Sequence, residues 1–130
     1  MSKNTQQEDM DFEIRFYESL LQKKPDFAQA LAALGDLYTR KGLFEKGLTV
    51  DEQLAQLKPL DPIVLYNLAC SYSLVNKLDK ALKVIKRAVD CGYDDLDHLS
   101  KDPDLMNLRQ DNRFKKYLLK INNKELKNSL

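Results

Sequence analysis

The chain has 130 residues, which is enough for one domain with a buried core. Its 21 Lys and Arg residues nearly balance 20 Asp and Glu residues, and the net charge of +1 argues against a dedicated nucleic-acid-binding protein. No apolar run approaches the roughly 18 residues that indicate a membrane span. Residues 1–11 lack the apolar segment of a secretion signal. We therefore expect a cytoplasmic protein, in which Cys70 and Cys91 are reduced thiols.

The first half of the chain predicts three helices. Residues 1–8 are polar and are expected to form a disordered lead. An apolar stripe with helical spacing predicts a helix over residues 9–24, which Pro25 ends. Asp26 is a candidate N-cap for a second helix, which ends at residue 41 before Gly42. A third helix is expected over residues 44–57.

The next segment repeats this arrangement of helix starts and stops. Asp61 is an N-cap candidate, and Pro62 occupies the first helical position, where its missing N–H costs nothing. Asn76 takes the place of Gly42, because Asn tolerates a positive φ better than most residues. A further helix is expected over about residues 79–91, closed by Gly92.

The last segment departs from this pattern. Short helical stretches are expected at residues 94–100, 103–110 and 112–123, each beginning at or directly after an Asp that suits a helix cap. Their apolar residues, which could cover the preceding helices, are Leu96, Leu99, Leu105, Leu108, Phe114, Leu118 and Ile121. We expect this segment to seal the end of the domain, and residues 124–130 to fray.

Several residues recur 34 positions apart. The recurring pairs are Leu31 and Leu65, Leu34 and Leu68, Gly35 and Ala69, Tyr38 and Tyr72, Gly47 and Ala81, and Pro25 and Pro59. A period of this length indicates a helix–turn–helix unit that stacks on copies of itself. Over roughly residues 10–93 the pattern resembles the tetratricopeptide repeat. The first unit departs from the family where Asp51 replaces an aromatic or large apolar residue and Leu54 replaces Ala, so its helix pair is expected to pack less regularly.

The resemblance implies an all-α fold. It would be a right-handed α-solenoid of about 2.5 tetratricopeptide units with a helical C-terminal cap. The expected divisions are a half unit at residues 9–27, units at 28–61 and 62–93, and capping helices at 94–123. Together these make a single domain over residues 9–123, with residues 124–130 as a frayed tail.

The resemblance also implies a function. In this family the first helix of each pair lines a concave groove that binds a peptide or helix of a partner protein. The matching positions are Gln29, Ala32, Asp36, Thr39, Arg40, Ile63, Tyr66, Asn67, Cys70, Ser73 and Leu74. We expect Ile63, Tyr66 and Leu74 to bury apolar side chains of the partner, while Asp36, Arg40 and Asn67 fix its orientation. The expected role is a non-catalytic protein-interaction module without a cofactor.

One known binding mode of the family is not expected here. Members that bind chaperone tails hold a C-terminal carboxylate with Lys and Asn side chains. The corresponding positions of the first unit are Ala32 and Asp36, and an aspartate would repel a carboxylate. Only Asn67 matches the clamp.

The residues give little support to a metal site or to catalysis. The acidic cluster after Tyr93, which contains Asp95 and Asp102, fits no EF-hand spacing and is expected to cap helices. His98 is the only histidine and is expected to be an inert surface residue, separated from Cys70 by a whole helix pair. No phosphate-binding loop or metalloprotease motif occurs, so an enzyme is not expected.

Two alternatives remain open. The outer helices carry basic residues that could bind an acidic partner or nucleic acid, namely Lys77, Lys80, Lys83, Lys86, Arg87, Arg113, Lys115, Lys116 and Lys120. The first helix lacks a pair-mate, so Phe12, Phe16 and Tyr17 could mediate formation of a homo-oligomer.

Overall fold

The computed structural model describes residues 3–129, and these form helices and connecting turns without a β-strand. The helices are α1 (Lys3–Lys23), α2 (Ala28–Arg40), α3 (Phe44–Leu57), α4 (Pro62–Leu74), α5 (Leu78–Asp90), α6 (Leu96–Lys101), α7 (Met106–Arg109) and α8 (Asn112–Ser129). A 3₁₀ turn at Pro103–Leu105 leads into α7. The predicted all-α solenoid is confirmed.

The helices pack in chain order. α2 packs on α3, α4 packs on α5, and α3 joins the two pairs by packing on α4. α1 covers the open side of α2, while the 3₁₀ turn and α7 pack against α4. Helix bounds thus fall within the expected units at residues 28–61 and 62–93, although the division into units stays a prediction.

Three helices end with the same backbone motif, as the sequence indicated. The residues after the ends of α2, α4 and α5 have positive φ values, of 79° at Gly42, 61° at Asn76 and 115° at Gly92. At the end of α2, Leu43 N–H donates to the Tyr38 carbonyl at 2.8 Å, and Gly42 N–H donates to that of Thr39. These bonds satisfy carbonyls that the helix leaves without a partner and turn the chain toward the next helix.

Of the two N-caps expected in the repeat units, only one forms. The Asp61 carboxylate accepts hydrogen bonds from the N–H groups of Ile63 and Val64, at 2.9 and 3.2 Å. The expectation for Asp26 is wrong, because α2 begins one residue later, with Phe27 at the cap position and no side-chain bond. The turn between α1 and α2 instead closes through backbone bonds, including one from Phe27 N–H to the Lys24 carbonyl.

The outermost helices are longer than expected. The lead at residues 1–8 was expected to be disordered, but α1 already begins at Lys3, and residues 1 and 2 lie outside the described residues. The tail at 124–130 was expected to fray, but α8 continues to Ser129, with residue 130 outside the described part. Neither segment contains Gly or Pro, the residues that most strongly end a helix.

The segment after Tyr93 buries its apolar residues against the last helix pair. Leu99, Leu105, Leu108 and Phe114 are fully buried and share one core with α4 and α5. A second core joins Ile14 of α1 to the helix pair α2–α3. The C-terminal segment therefore places α6 and the 3₁₀ turn where they can bound the face formed by α2 and α4.

Candidate functional site

A cavity of about 170 Å³ lies between α2 and α4 and is bounded on one side by α6 and the 3₁₀ turn. We call it the groove cavity. Its lining residues are Ala32, Gly35, Asp36, Thr39, Asp51, Leu54, Tyr66, Asn67, Cys70, Ser71, Leu74, His98, Asp102 and Asp104. The first helices of the two pairs thus face a common cavity, which is the position that the sequence predicted for a groove.

Most of the predicted groove residues line this cavity, and a few do not. The predicted residues at the cavity are Ala32, Asp36, Thr39, Tyr66, Asn67, Cys70 and Leu74. Gln29, Arg40 and Ile63 are exposed outside its lining. Ser73 is fully buried, because the C-terminal segment covers it and its hydroxyl accepts a bond from Leu108 N–H at 3.2 Å. Ser73 therefore cannot contact a partner.

Tyr66 occupies a different environment from the one expected. It was expected to present its ring to a partner, but only 5% of the residue is exposed. Its ring stacks on that of Tyr93 with centroids 4.2 Å apart, and its hydroxyl donates to Asp102 Oδ2 at 2.5 Å. Tyr66 thus joins α4 to the C-terminal segment. It lines the cavity but offers little exposed apolar surface to a partner.

Asp102 holds the segment that bounds the cavity. Besides the Tyr66 hydroxyl, it accepts a bond from Asp104 N–H at 2.9 Å through Oδ1, while its backbone carbonyl accepts one from Arg109 at 2.6 Å. His98 Nε2 lies 3.1 Å from Asp102 Oδ2. The expected capping role is confirmed for Asp102, and also for Asp95, which accepts from His98 N–H at 3.1 Å. Residues 3–129 contain no group of three or more His, Cys, Asp or Glu residues arranged to hold a metal ion.

Asp51 is one of seven cavity-lining residues that were not predicted for the groove. It lies on α3 with 7% of its surface exposed, and its Oδ2 accepts a hydrogen bond from Ser71 at 2.5 Å. Its other oxygen, Oδ1, lies where a Cβ on Gly35 would be only 2.4 Å away, so the absent side chain of Gly35 makes room for the carboxylate. The available signal was Asp51 itself, a charged residue at a position where the resembled family has a large apolar one.

Burial raises the pKa of two of the cavity carboxyls. The pKa of Asp51 rises to about 6 because the carboxylate is desolvated, an effect that the Ser71 hydrogen bond only partly offsets. The pKa of Asp104 is raised first by burial and then by the charge of Asp102, with a further contribution from Asp36 across the cavity. The carboxylates of Asp36, Asp102 and Asp104 therefore act on one another electrostatically.

The thiol of Cys70 is unsuited to nucleophilic chemistry. His98 was expected to lie far from Cys70, but this was wrong, because both line the groove cavity and both approach Asp102 Oδ2. Burial and the charge of Asp102 nevertheless raise the pKa of Cys70 well above its ordinary value. A protonated thiol is a poor nucleophile. Cys70 and Cys91 are both free, without a disulfide.

The outer basic residues make intramolecular contacts. The Lys80 ammonium lies 5.8 Å from the ring centroid of Tyr72, and the Arg87 guanidinium donates to the Pro59 carbonyl at 3.1 Å. Arg113 pairs with Asp79 at 2.8 Å and with Asp111 at 2.7 Å. These three outer basic residues thus have a partner within the chain, and for Arg113 that partner is a pair of carboxylates.

The apolar side chains of α1 divide between two faces. Ile14 is buried, and Tyr17 packs partly against the core shared with α2. Phe12 and Phe16 are 65% and 50% exposed.

None of the helices described is both long enough and apolar enough to cross a membrane.

Comparisons with known proteins agree with the fold. No protein-family model matches the chain. A chloroplastic protein of Arabidopsis thaliana is 31% identical over 102 residues, which cover 75% of this chain and 30% of that protein. The chain therefore spans less than a third of the length of this curated relative.

Two solved structures resemble the arrangement of helices over most of the chain. "MamA 41-end from Desulfovibrio magneticus RS-1" has a TM-score of 0.74 at 22% identity, over 96% of this chain and 70% of that chain. "Crystal structure of MamA" has a TM-score of 0.67 at 21% identity, over 75% of this chain and 57% of that chain. MamA is a tetratricopeptide-repeat protein. Together with the 34-residue period and the helix pairs, these likenesses show that the chain has the tetratricopeptide-repeat fold.

Proposed function

We propose that the chain is a non-catalytic protein-interaction module that binds a segment of a partner protein in the groove cavity. The observation that carries this proposal is the cavity itself, which lies between the first helices of two successive repeats. Its walls combine exposed Ala32 and Asn67 with the buried carboxylate of Asp51, so it offers both space and polar groups. Binding sites of this kind combine a concave surface with a small number of polar groups that orient the ligand.

The backbone of the site is suited to holding its shape. α4 packs on α3, α5 and the C-terminal segment, so the wall that it forms is supported from three sides. The hydrogen bond from Tyr66 to Asp102 ties this wall to the segment that bounds the cavity. A preformed site loses less conformational entropy on binding than one that must order itself. This rigidity supports binding, and the high pKa of the Cys70 thiol argues against catalysis.

A direct test uses peptides selected from a random twelve-residue display library on the immobilised chain. A selected peptide is then titrated into ¹⁵N-labelled protein, and we expect its amide shifts to cluster at Ala32, Asn67 and Cys70. Ala32→Trp fills the cavity from an exposed position on α2 and should abolish the shifts. Lys83→Trp places the same ring on exposed α5 away from the cavity and should leave them unchanged. Shifts that map elsewhere, or that persist in Ala32→Trp, would show that the groove is not the binding site.

A second candidate function is self-association through α1. It is favoured by the exposure of Phe12 and Phe16 on a helix that ends the stack. Apolar residues grouped in this way on a surface often mark a contact with another protein. Phe12→Ser with Phe16→Ser should then shift the mass measured by light scattering from dimer to monomer over a dilution series. A monomer at all concentrations for the unmodified chain rules this candidate out.

We also infer a cytoplasmic location, which fractionation of cells producing the tagged chain would test.

A further inference from the structure

The carboxylates at the groove cavity outnumber the cations that could neutralise them. Its lining includes four aspartates and one histidine but neither Lys nor Arg; the aspartates are Asp36, Asp51, Asp102 and Asp104. Two of them have partners nearby, since Asp36 pairs with Arg40 at 3.1 Å and Asp102 lies 3.1 Å from His98. Among residues 3–129, no ion pair includes Asp51 or Asp104.

Asp51 adds an independent observation to this imbalance. Only 7% of the residue is exposed, it borders the cavity, and Ser71 is the only donor to its side chain among the described residues. The bond reaches Oδ2, so Oδ1 accepts no hydrogen bond from that part of the chain. No described side-chain oxygen is both fully enclosed and without a partner, so Oδ1 keeps some access to solvent. A largely buried carboxylate without a cation is costly, and a cation brought into the cavity would recover part of this cost.

We propose that the groove cavity receives a lysine or arginine side chain from the bound partner segment, which Asp51 and Asp104 hold as counter-ions. This inference rests on the proposed function and specifies its partner chemistry. A water molecule takes up about 30 Å³ in the liquid, so a cavity of about 170 Å³ has room for the charged end of such a side chain. Charge-assisted hydrogen bonds to two carboxylates are stronger and more directional than neutral ones.

The rest of the groove is consistent with a basic segment of protein. Asp36 lies on the exposed part of α2, where it would face residues flanking the inserted side chain. Ile63 is 57% exposed near the start of α4, and Leu74 lines the cavity near its end, so apolar contacts are available on either side. The inverse arrangement, in which the groove holds a carboxylate, would place like charges together and is excluded on the same grounds.

The test measures binding of acetylated and amidated nine-residue peptide pools that differ only at the fixed central residue. The five pools carry Lys, Arg, Gln, Leu or Glu at the centre, and fluorescence anisotropy reports their affinity at 0.15 M salt. We expect the Lys or Arg pool to bind about tenfold more tightly than the Gln pool, and the Glu pool to bind most weakly.

The matched variants separate a specific site from general attraction. Asp51→Asn with Asp104→Asn should remove the preference for basic pools. Asp9→Asn with Asp26→Asn makes the same change in net charge at exposed positions and should retain it. Circular dichroism would verify that each variant folds. If the first pair does not fold, Asp104→Asn alone, at a half-buried position, should still reduce the preference severalfold.

The possible failures are distinguishable. Tightest binding of the Leu pool, lost in Ala32→Trp, would retain the groove and overturn the basic side chain. If both double variants keep the preference for basic pools, the preference comes from general electrostatic attraction to the protein. That result would also overturn the proposed binding of a basic side chain by Asp51 and Asp104. If no pool binds, and Ala32→Trp binds the display-selected peptides as well as the unmodified chain does, the proposed function is overturned as well.

Discussion

The buried charge of Asp51 predicts that Asp51→Asn stabilises the protein at neutral pH. The carboxylate is 7% exposed, has one hydrogen-bond donor in Ser71, and faces no described cation within ion-pairing distance. An asparagine has nearly the same shape and can still accept the Ser71 hydrogen bond, but it carries no charge to desolvate. The free energy of unfolding should therefore rise at pH 7.5, although the substitution removes a charged residue from the core of the molecule.

The magnitude and its pH dependence follow from the pKa of Asp51. Its value of about 6 in the folded state compares with an ordinary value of 3.8. At about 1.4 kcal/mol per pKa unit, this difference corresponds to roughly 3 kcal/mol, an upper value for the gain. Because the folded pKa is raised, the folded state binds the proton more tightly, so the cost is absent below about pH 4 and complete above about pH 6. The contribution of Asp51 to stability therefore falls as the pH rises through this window.

The assay is urea unfolding followed by circular dichroism between pH 4 and pH 7.5. We expect Asp51→Asn to exceed the unmodified chain by about 1–3 kcal/mol at pH 7.5 and to match it near pH 4. Asp26→Asn, the same change at an exposed position without a capping bond, should show a difference of less than about 0.5 kcal/mol at both pH values. Destabilisation by Asp51→Asn at pH 7.5 would refute the reasoning, because it would mean that the charge is compensated within the folded chain.

Three further substitutions test the packing around the cavity by urea unfolding. Gly35→Ala should cost about 1–3 kcal/mol, because its Cβ would lie 2.4 Å from Asp51 Oδ1, and the cost should shrink in an Asp51→Ala background. Tyr66→Phe should cost about 1–3 kcal/mol, because Asp102 loses its hydroxyl donor in a buried site. Phe114→Ala should cost about 3–5 kcal/mol if the C-terminal segment belongs to the folded core.

Each of these has a distinct contradicting outcome. Equal costs of Gly35→Ala in both backgrounds would show that the Cβ meets something other than the carboxylate. A neutral Tyr66→Phe would mean that water replaces the hydroxyl at Asp102. Loss of less than about 1 kcal/mol in Phe114→Ala would indicate that the C-terminal segment unfolds separately from the repeats.

If the Asp51 charge destabilises the free protein and a basic side chain binds in the groove cavity, Asp51 links stability to binding. A cation bound at Asp51 would lower the cost of burying the Asp51 carboxylate. Binding of a basic peptide would therefore stabilise the folded state. Asp51→Asn would then be more stable when free and would gain less stability from a basic peptide. Such a trade between stability and binding is common at functional sites.

The sequence predicted correctly the helix ends that are set by residues within a few positions of the end. Gly42, Asn76 and Gly92 adopt positive φ because their own conformational preferences permit it, and the following residue closes the motif through the backbone. Asp61 caps α4 through atoms two and three residues away. Asp26 failed as a cap because the start of α2 depends on how α1 and α2 meet, which the cap preference alone does not include.

The site was predicted less completely than the fold. The resemblance to the family placed Asn67 and Asp36 at the groove, but it could not show that Tyr66 turns its hydroxyl to Asp102 in the C-terminal segment. These two residues are 36 positions apart, and the segment that brings them together does not follow the repeat. Asp51 was visible in the sequence only as a departure from the family pattern.

The sequence by itself determined the helices of the repeat and their pairing, because these follow from local preferences and a regular period, and the resemblance to the tetratricopeptide repeat implied the face on which a groove forms. Tertiary structure alone decided the character of that groove. It brought Asp51 from α3 and Asp104 from the C-terminal segment to one cavity without a described Lys or Arg in its lining. The electrostatics of a site depend on which charges meet in three dimensions and on how much water reaches them, and neither is encoded in the spacing of residues along the chain.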